Sequence, residues 1–377
     1  MIKKITIVTT GHPPFDERIY WKFAGSLSSS GFEISIICAS EEINFTQNNI
    51  IISGFDGTKV KKRKKLSRIY EMLNKFMPEV VICCEPLIIF PVYKYRKLRN
   101  DKCIIISDIT EWYPENIAFK NTGIKKFLYY WIAYKLNTLA SNLANHLIIG
   151  EISKKKRYDK IAPLKKKTII GYYPVLKYFS YFPPPFDGKR LTLCYAGLIN
   201  FERGILTLLE IAEELSTIHY NLEVRLKIIG KFQYKHEEEK FIKLISQKEN
   251  IIVEMVGWVK YTEISDQLKD VDICFDLRKK TFIYKNSLPI KIFEYLASGK
   301  PVIYSDIIPI RKEFEKINFG YLVEPNDKEK IIKIINNYIN NRLLLITHSH
   351  NAREVIEKGK NWENESKKLI ELITSLN

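Results

Sequence analysis

The chain has 377 residues, a length that favours two domains over a single hydrophobic core. Hydrophobic residues make up 46% and charged residues 27%, values that exclude an extensively disordered chain. The net charge of +17 is concentrated at the start, because residues 1–178 hold 30 Lys and Arg against 15 Asp and Glu. Basic runs at 59–68 and 154–167 attract phosphate on nucleic acid or anionic lipid, although a solvated lysine-rich surface is the alternative interpretation.

In the first half, short apolar runs alternate with helix-length segments, which predicts a parallel sheet flanked by helices. Strands are predicted at residues 5–9, 32–39, 50–53, 79–84, 103–107 and 146–149, with a helix-length segment at 17–30. The six cysteines of the chain lie inside apolar runs and lack CxxC spacing. This pattern predicts buried thiols and a cytoplasmic protein.

The second half repeats the alternation. Strands are predicted at residues 191–196, 224–229, 251–256, 271–275, 302–304 and 321–323, and helices at 204–215, 290–298, 328–339 and 363–376. The proline-rich residues 181–190 have the composition of a linker. We therefore expect an N-terminal Rossmann-like domain at 1–180, a C-terminal one at 191–360, and a helix at 361–377 that returns to the first domain.

No segment has the apolar length of a membrane-spanning helix, about 18 residues. The uncharged residues 136–150 are interrupted by polar side chains, and the start of the chain favours a first strand over a signal peptide. Residues 124–139 combine aromatic side chains, Phe127, Tyr129, Tyr130, Trp131 and Tyr134, with lysines. They suit either a membrane interface or a helix core, and we favour the core.

Residues 286–306, NSLPIKIFEYLASGKPVIYSD, have the features of a capped helix that leads into a strand. Asn286 or Ser287 can cap the helix, and Pro289 suits its first turn. Gly299 followed by Pro301 ends it before the strand. The free N–H groups and the positive helix end favour a diphosphate in front of Pro289.

Lys291 and Glu294, three residues apart, share one side of this helix. Lys291 adds a positive charge, and Glu294 adds an acceptor suited to sugar hydroxyls. An ordinary capped helix with a surface Lys–Glu pair explains the same residues, so physical chemistry alone leaves both interpretations open.

This segment resembles the donor-site helix of glycosyltransferase family 4, whose members are retaining enzymes that use nucleotide sugars. Further loops resemble that family in the same order: GHPPFDERI at 11–19, DITEWYP at 108–114, YAGLINFERG at 195–204, GWV at 257–259 and EPND at 324–327. The resemblance implies the GT-B fold, an α/β architecture of two Rossmann-like, doubly wound parallel-sheet domains facing across a cleft. It assigns acceptor binding to the basic N-terminal domain and donor binding to the C-terminal domain.

Carried over residue by residue, the resemblance implies a donor site. Glu294 is expected to accept hydrogen bonds from ribose, Arg203 and Lys291 to hold the diphosphate, and Asn286 to bond a donor-sugar hydroxyl. The other expected donor-binding residues are Gly197, which lets the backbone approach the diphosphate, Trp258 and Val259 near the base, and Ser287, Leu288 and Pro289.

Three positions depart from the family pattern. Asn286 replaces the first Glu of a Glu-x7-Glu pattern, and Leu198 stands where many members have a phosphate-binding Arg. Thr110 occupies the position of a cleft His, and its hydroxyl cannot supply imidazole proton chemistry. The acceptor-side candidates are His12, Asp16, Arg18, Asp108, Thr110 and Glu111, for which helix capping and ion pairing are the alternative roles.

The resemblance implies a hexosyltransferase-like enzyme that moves a sugar, with retention, from a nucleotide-diphosphate sugar to a saccharide or lipid-linked acceptor for a surface polysaccharide. No cofactor and no metal ion are expected, because His348 and His350 lack an accompanying ligand cluster. The expected location is cytoplasmic, and the basic first domain favours docking on the anionic inner face of the membrane.

Two other functions stay open. The departures at Thr110, Leu198 and Asn286 leave open a non-catalytic function, in which the chain is a relative that binds a nucleotide sugar or a partner transferase. The positive charge leaves nucleic-acid binding open as a second alternative. No zinc-finger spacing or RNA-recognition signature accompanies the charge, so no specific nucleic acid is expected.

Overall fold

The protein is described by a computed structural model that covers residues 3–119 and 121–376. The chain forms two compact units: unit 1 is Met1–Tyr172 with Trp362–Asn377, and unit 2 is Tyr173–Asn361. The proline-rich residues 181–190 lie within unit 2. There Phe186 packs in the core, and its amide donates to the Asp272 carboxylate at 2.7 Å.

Unit 1 contains one eight-stranded sheet. Its strands are β1 (Lys4–Thr9), β2 (Glu33–Cys38), β3 (Ile43–Gln47), β4 (Ile50–Gly54), β5 (Val80–Cys83), β6 (Ile104–Ile109), β7 (His146–Ile149) and β8 (Lys166–Ile169). They lie in the order β3-β4-β2-β1-β5-β6-β7-β8, and only β3 is antiparallel to its neighbour. The six predicted strands are confirmed. The two missed strands, β3 and β8, form the edges, where polar side chains weaken the apolar pattern that identifies buried strands.

The helices of unit 1 flank this sheet. A π-helix, Glu17–Ala24, continues as α1 (Gly25–Ser29), followed by α2 (Lys62–Phe76), α3 (Ile89–Leu98), α4 (Glu115–Ala118), α5 (Gly123–Leu143) and α6 (Ile152–Ile161), with 3₁₀ turns at Gly57–Lys59 and Pro86–Ile88. Both basic runs therefore fall largely on helices. Lys154 of α6 is an exception to the solvated pattern, because it is buried and paired with Glu151.

The long helix α5 has small residues inside and large apolar residues outside. Its buried residues are Ala133, Asn137, Ala140 and Ser141. Phe127, Tyr129 and Trp131 are exposed, so the expectation that they belong to a helix core is wrong. Tyr134 packs against the core of unit 1. The helical period identifies an apolar stripe in a sequence but not the side of the helix that meets the sheet.

Unit 2 contains a six-stranded, fully parallel sheet. Its strands are β9 (Arg190–Ile199), β10 (Glu223–Phe232), β11 (Ile252–Gly257), β12 (Ile273–Asp276), β13 (Val302–Ser305) and β14 (Gly320–Val323). The order is β11-β10-β9-β12-β13-β14, which is the doubly wound Rossmann arrangement. All six strands match predicted positions.

The helices of unit 2 connect these strands. They are α7 (Ile205–Ile218), α8 (Lys235–Ile245), α9 (Ile264–Gln267), α10 (Phe282–Asn286), α11 (Lys291–Ala297), α12 (Ile308–Glu313), α13 (Lys328–Asn340) and α14 (Arg342–Glu357), with 3₁₀ turns at Leu176–Tyr178, Phe201–Arg203 and Tyr261–Glu263. The last helix, α15 (Trp362–Ser375), belongs to unit 1.

Each unit has its own hydrophobic core, built mainly from Ile, Leu and Val of the strands and the inward faces of the helices. All six cysteines are buried free thiols, as predicted. Among residues 3–119 and 121–376, no helix is both long and apolar enough to span a bilayer.

Candidate active site

The carboxyl end of β9 suits ligand binding because of its place in the sheet. β9 lies between β10 and β12, so the strand order reverses there. Ligands of open parallel sheets bind beside the carboxyl ends of strands at such a reversal. Gly197 and the half-buried Leu198 lie near the carboxyl end of this strand.

Gly197 leaves little room for a side chain. Its φ angle is +128°, and an added Cβ would lie 3.3 Å from Cε and 3.6 Å from Cγ of Lys291. Its neighbour in β10, Gly230, is more crowded still, because a Cβ there would lie 1.8 Å from the Gly197 carbonyl oxygen. These two glycines let the backbones of β9 and β10 approach closely where each strand ends.

Tyr295 fixes α11 to the end of β9. Its buried hydroxyl accepts a hydrogen bond from the Ala196 amide at 2.7 Å and donates to the Ala196 carbonyl at 3.2 Å. Because Ala196 precedes Gly197, and Glu294 precedes Tyr295, this anchor holds the first turn of α11 beside the glycine.

Lys291 and Glu294 form an ion pair on α11. Nζ of Lys291 lies 2.9 Å from Oε2 of Glu294, whose side chain is only 1% exposed, whereas that of Lys291 is 25% exposed. The stem of Lys291 also lies against Gly197. An incoming anion can therefore compete for the ammonium group, and a hydroxyl can compete for the carboxylate.

The start of α11 differs from the prediction. Asn286 ends α10, whose N-cap is Thr281, and Ser287 follows it, so neither residue caps α11. The loop between the two helices contains Ser287, Leu288 and the buried Pro289. Because α11 begins only at Lys291, its first turn starts two residues after Pro289, where the sequence pattern predicts it.

Arg203 lies in the 3₁₀ turn that follows β9. Its amide donates to the Asn200 side-chain oxygen at 2.9 Å, and its guanidinium carbon lies 5.6 Å from the centre of the Tyr284 ring. Its Nε is buried and makes no hydrogen bond within the described residues. A buried donor on a cation without an acceptor is suited to a phosphate oxygen.

Trp258 and Val259 follow β11 at the same sheet edge. The Trp258 side chain is 63% exposed, and Nζ of Lys231 lies 5.1 Å from the ring centre. Val259 is half-buried. β10 separates β11 from β9, so the exposed indole is a stacking surface removed from Gly197 by one strand.

In unit 1, Arg18 and Asp108 form a buried bidentate ion pair. The Arg18 Nε–Asp108 Oδ2 distance is 2.7 Å and the NH2–Oδ1 distance is 2.8 Å. Arg18 also donates to the carbonyls of Ile170 and Gly171, and its guanidinium faces the Tyr172 ring at 4.3 Å. This geometry favours the ion-pairing alternative for Arg18 and Asp108.

His12 lies within a carboxylate cluster at the carboxyl ends of β1 and β5. Its Nδ1 is 2.9 Å from Oδ2 of Asp16, and its Nε2 is 3.9 Å from Oε1 of Glu85. Burial alone would lower the pKa of His12, but the Asp16 hydrogen bond and the charges of Asp16, Glu85 and Glu111 raise that pKa to about 9. The imidazole is therefore protonated at neutral pH and can donate hydrogen bonds.

Asp16 also caps the π-helix, because its Oδ1 accepts hydrogen bonds from the amides of Arg18 at 2.9 Å and Ile19 at 3.1 Å. Thr110 and Glu111 follow β6. Thr110 is half-buried, and the exposed Glu111 accepts a hydrogen bond from the Asn116 side chain. Capping is thus an observed role of Asp16, alongside its contact with His12.

Residues 180–368, half of the chain, match the family described as glycosyl transferases group 1. The chain belongs to this family. None of the curated proteins compared by sequence matches it. Sucrose-phosphate synthase from Thermosynechococcus elongatus has a TM-score of 0.76 at 15% identity, with 99% of each chain covered. HepE from Anabaena, in complex with UDP, has a TM-score of 0.70 at 12% identity, with 99% of this chain and 100% of that chain covered.

A third similar structure is the apo form of the lipopolysaccharide outer core galactosyltransferase WaaB. It has a TM-score of 0.62 at 16% identity, with 99% of each chain covered. At such identities these likenesses concern the fold, and they establish the two-sheet GT-B architecture for this glycosyltransferase.

The structure of this glycosyltransferase brings Gly197, Lys291 and Glu294 together. It places Arg203 against α10 through Tyr284, and the Asn200 side chain donates to the hydroxyl of Tyr284 at 3.2 Å. The side chain of Asn286 donates to the Phe282 carbonyl at 2.7 Å. Gly197, Lys291 and Glu294 thus form one group, and Arg203 lies beside α10, the helix that contains Asn286.

Sequence reasoning missed Arg278 of this glycosyltransferase. Arg278 is buried at the carboxyl end of β12, where its Nε lies 2.7 Å from Oδ1 of Asp276. Its guanidinium carbon is 5.5 Å from the Tyr284 ring centre, so Tyr284 contacts two guanidinium groups. The signal in the sequence is an Asp-x-Arg triplet directly after a predicted strand.

Glu85 was also missed. It follows β5 and accepts hydrogen bonds from Thr9 Oγ1 at 2.7 Å, from the Thr10 amide at 2.9 Å and from the Gly11 amide at 3.0 Å. A lone carboxylate after Cys83 and Cys84 carries no recognisable motif, but it holds the loop that contains His12. Among the described ranges, no group of three or more His, Cys, Asp or Glu is placed to hold a metal ion.

Proposed function

We propose that this glycosyltransferase moves a sugar, with retention, from a nucleotide-diphosphate sugar to a saccharide or lipid-linked acceptor in surface polysaccharide synthesis. The observation that carries the proposal is the meeting of Gly197, Lys291 and Glu294 at the carboxyl end of β9. The similar structures of HepE contain UDP and UDP-glucose, and WaaB is a lipopolysaccharide galactosyltransferase. These names support the donor class and the kind of acceptor.

In the proposed donor complex, the diphosphate lies over the bare backbone at Gly197. Its negative charge draws Nζ of Lys291 away from Glu294, and the Nε–H of Arg203 donates to a phosphate oxygen. The released carboxylate of Glu294 then accepts hydrogen bonds from the ribose hydroxyls. Trp258 offers the base a stacking surface.

In the proposed reaction, the bond between the anomeric carbon and the β-phosphate oxygen breaks, and the acceptor oxygen bonds to the same face of that carbon. The acceptor proton passes to the departing phosphate oxygen, so the nucleoside diphosphate leaves with it. Lys291 and Arg203 stabilise the charge that develops on this leaving group, and positioning supplies much of the remaining rate enhancement. We include no metal ion or cofactor in this proposal.

The proposed acceptor side lies in unit 1, where protonated His12 can donate to an acceptor hydroxyl or to a phosphate. Asp16 and Glu85 hold the imidazole in place. We place the enzyme in the cytoplasm at the inner face of the membrane, because unit 1 contributes most of the positive charge of the chain.

The test is a panel of UDP-, GDP- and ADP-sugars, first in calorimetric binding and then in donor hydrolysis and transfer assays. We expect one donor class to bind, and Glu294→Ala and Arg203→Ala each to reduce kcat/KM for that donor by about 10- to 100-fold, the loss of one charged hydrogen bond. The stereochemistry of the product tests retention, and an assay with EDTA tests independence of metal ions.

The matched control is Glu239→Ala, which removes an exposed carboxylate of unit 2 from α8. It should leave donor use unchanged. Unaltered donor kinetics in both site variants would contradict the site. Tight nucleotide-sugar binding with no transfer or hydrolysis across the panel would favour the non-catalytic alternative.

A further inference from the structure

The outer face of α5 is apolar where a flanking helix of a sheet is normally polar. Ile124, Phe127, Leu128 and Trp131 follow the i, i+3, i+4, i+7 spacing of one helix face. Their exposed fractions are 87%, 67%, 55% and 44%. The opposite face, centred on Ala133 and Asn137, meets the rest of unit 1. These four large side chains thus point away from the core.

The exposed side chains form one continuous surface. The Phe127 and Trp131 rings lie 6.1 Å apart, and Tyr130 lies 5.9 Å from Trp131. Tyr129 and Ile132, 45% and 53% exposed, extend the surface around the helix. A contiguous apolar patch of this kind marks an interaction surface, because single exposed apolar residues are scattered on ordinary proteins.

The charge of α5 indicates an anionic partner. The helix contains Lys125, Lys126 and Lys135 and no acidic residue. These three lysines are exposed and form no ion pair with any residue in 3–119 or 121–376. Mixed aromatic and lysine side chains on an exposed helix match the interface between lipid headgroups and acyl chains, where Trp and Tyr are enriched.

We propose that the N-terminal half of α5 is a docking element for an anionic lipid bilayer. Ile124, Phe127, Leu128 and Trp131 enter the interface, and the lysines contact lipid phosphates. The helix lies along the surface, since its three charged side chains and polar C-terminal half do not suit a spanning segment. This inference rests on the proposed location at the membrane and names α5 as the element that contacts the bilayer. Its test involves no sugar donor, so failure of membrane docking can be distinguished from failure of the proposed glycosyl transfer.

A protein partner is the less suitable occupant. The apolar residues cover more than one side of the helix, whereas a helix seated in a protein groove presents a single stripe. The fluid interface of a bilayer accepts apolar side chains around a wide arc, with lysines reaching to the headgroups.

The experiment is flotation of the full chain with phosphatidylcholine vesicles that contain or lack phosphatidylglycerol. We expect binding to the anionic vesicles and a blue shift of tryptophan emission that is lost in Trp131→Phe. The combined variant Ile124→Ser, Phe127→Ser and Leu128→Ser should reduce the vesicle partition coefficient by at least about tenfold. All three side chains are exposed, so circular dichroism should show an unchanged fold.

The matched control replaces three exposed apolar residues of unit 2, Ile218→Ser, Tyr220→Ser and Leu343→Ser, with exposed fractions of 48%, 86% and 76%. This control should float like the parent chain. Replacing Lys125, Lys126 and Lys135 with Gln should remove the preference for anionic vesicles.

Three outcomes would overturn the proposal. The first is equal partitioning onto neutral and anionic vesicles, and the second is equal loss in the control and α5 variants. The third is a dimer in equilibrium sedimentation that the α5 variant dissociates, without vesicle binding, because a second copy would then be the occupant of this surface.

Discussion

At the scale of single residues, the donor side of unit 2 depends on a close fit between Gly197 and Lys291. The glycine has a positive φ angle, and an added Cβ there would lie only 3.3 Å from the lysine stem. Two effects therefore meet at this position, backbone strain and contact with the site.

A pair of alanine substitutions separates these two effects. Gly188 also has positive φ, +86°, but an added Cβ there meets nothing within 4 Å. We expect Gly197→Ala and Gly188→Ala each to lower the free energy of unfolding by about 1–3 kcal/mol, measured by urea denaturation. Only Gly197→Ala should raise the donor KM. An equal effect of both variants on KM would contradict a role for the Gly197 backbone.

The raised pKa of His12 has a consequence for stability. A histidine with a pKa of about 9 in the fold, above its ordinary 6.5, binds its proton more tightly when folded. Its stabilising contribution is complete below pH 6.5 and is lost as pH rises through about 9. We expect His12→Gln to remove this part of the pH dependence of the Tm. An NMR titration assigned with that variant measures the pKa directly, and a midpoint at or below 6.5 would contradict the carboxylate cluster.

The residues of the site were predictable to different degrees. The proximity of Lys291 and Glu294 follows from helical spacing, which depends on local geometry alone. The contact between Gly197 and Lys291 required the family resemblance, since 94 positions of sequence separate them. Arg278 and Glu85 escaped notice because an Asp-x-Arg triplet and a lone carboxylate are weak signals, and each residue meets its partners only through the folding of its own unit.

At the scale of elements, strands were easier to predict than helix orientations. Buried parallel strands are continuous apolar runs, so β1, β5 and β9 stand out in the sequence. The start of α11 was misplaced because Asn286 and Ser287 are good caps that here belong to α10. The outward face of α5 could not be predicted, because an apolar stripe on a helix has the same period whether it packs on a sheet or faces solvent.

Trp362 is one of the buried residues that bind the helix α15 to unit 1. This side chain is 2% exposed, its ring lies 5.8 Å from that of Phe23, and its Nε1 donates to Ser26 Oγ at 2.7 Å. The Glu365 carboxylate also accepts a hydrogen bond from the Gly171 amide at 2.7 Å. Residues near the end of the chain therefore stabilise elements near its start.

We expect Trp362→Ala to destabilise unit 1 by about 3–5 kcal/mol, because it removes a large buried ring and leaves a cavity. Hydrogen exchange should accelerate in residues 17–29. The control is Trp258→Ala, whose exposed ring should contribute within about 0.5 kcal/mol to stability. Equal unfolding free energies of the two variants would show that α15 is not an integral part of unit 1.

At the scale of the whole molecule, the fold was predictable because each half repeats the same strand and helix alternation. The doubly wound order then follows from right-handed crossovers and the two-layer burial of parallel sheets. The uneven charge was visible in composition alone, but the surfaces on which it lies were not.

Because each unit has its own core, we expect two transitions in scanning calorimetry. A nucleoside diphosphate at about 100 times its Kd should stabilise unit 2 by about 2.7 kcal/mol and raise only its transition. Trp362→Ala identifies the transition of unit 1 by lowering it, and Arg203→Ala should diminish the ligand-induced shift. A nucleotide that raised only the unit 1 transition would contradict the donor assignment.

The burial of all six cysteines makes this chain suited to site-specific labelling. Burial raises the thiol pKa of Cys83, Cys84 and Cys274 well above its ordinary value and that of Cys103 to about 12, which suppresses the reactive thiolate. A single cysteine introduced at the exposed Ile124 would therefore react with maleimide dyes ahead of the native thiols. A polarity-sensitive fluorophore at that site would report the local environment of one chosen residue in an otherwise unmodified enzyme.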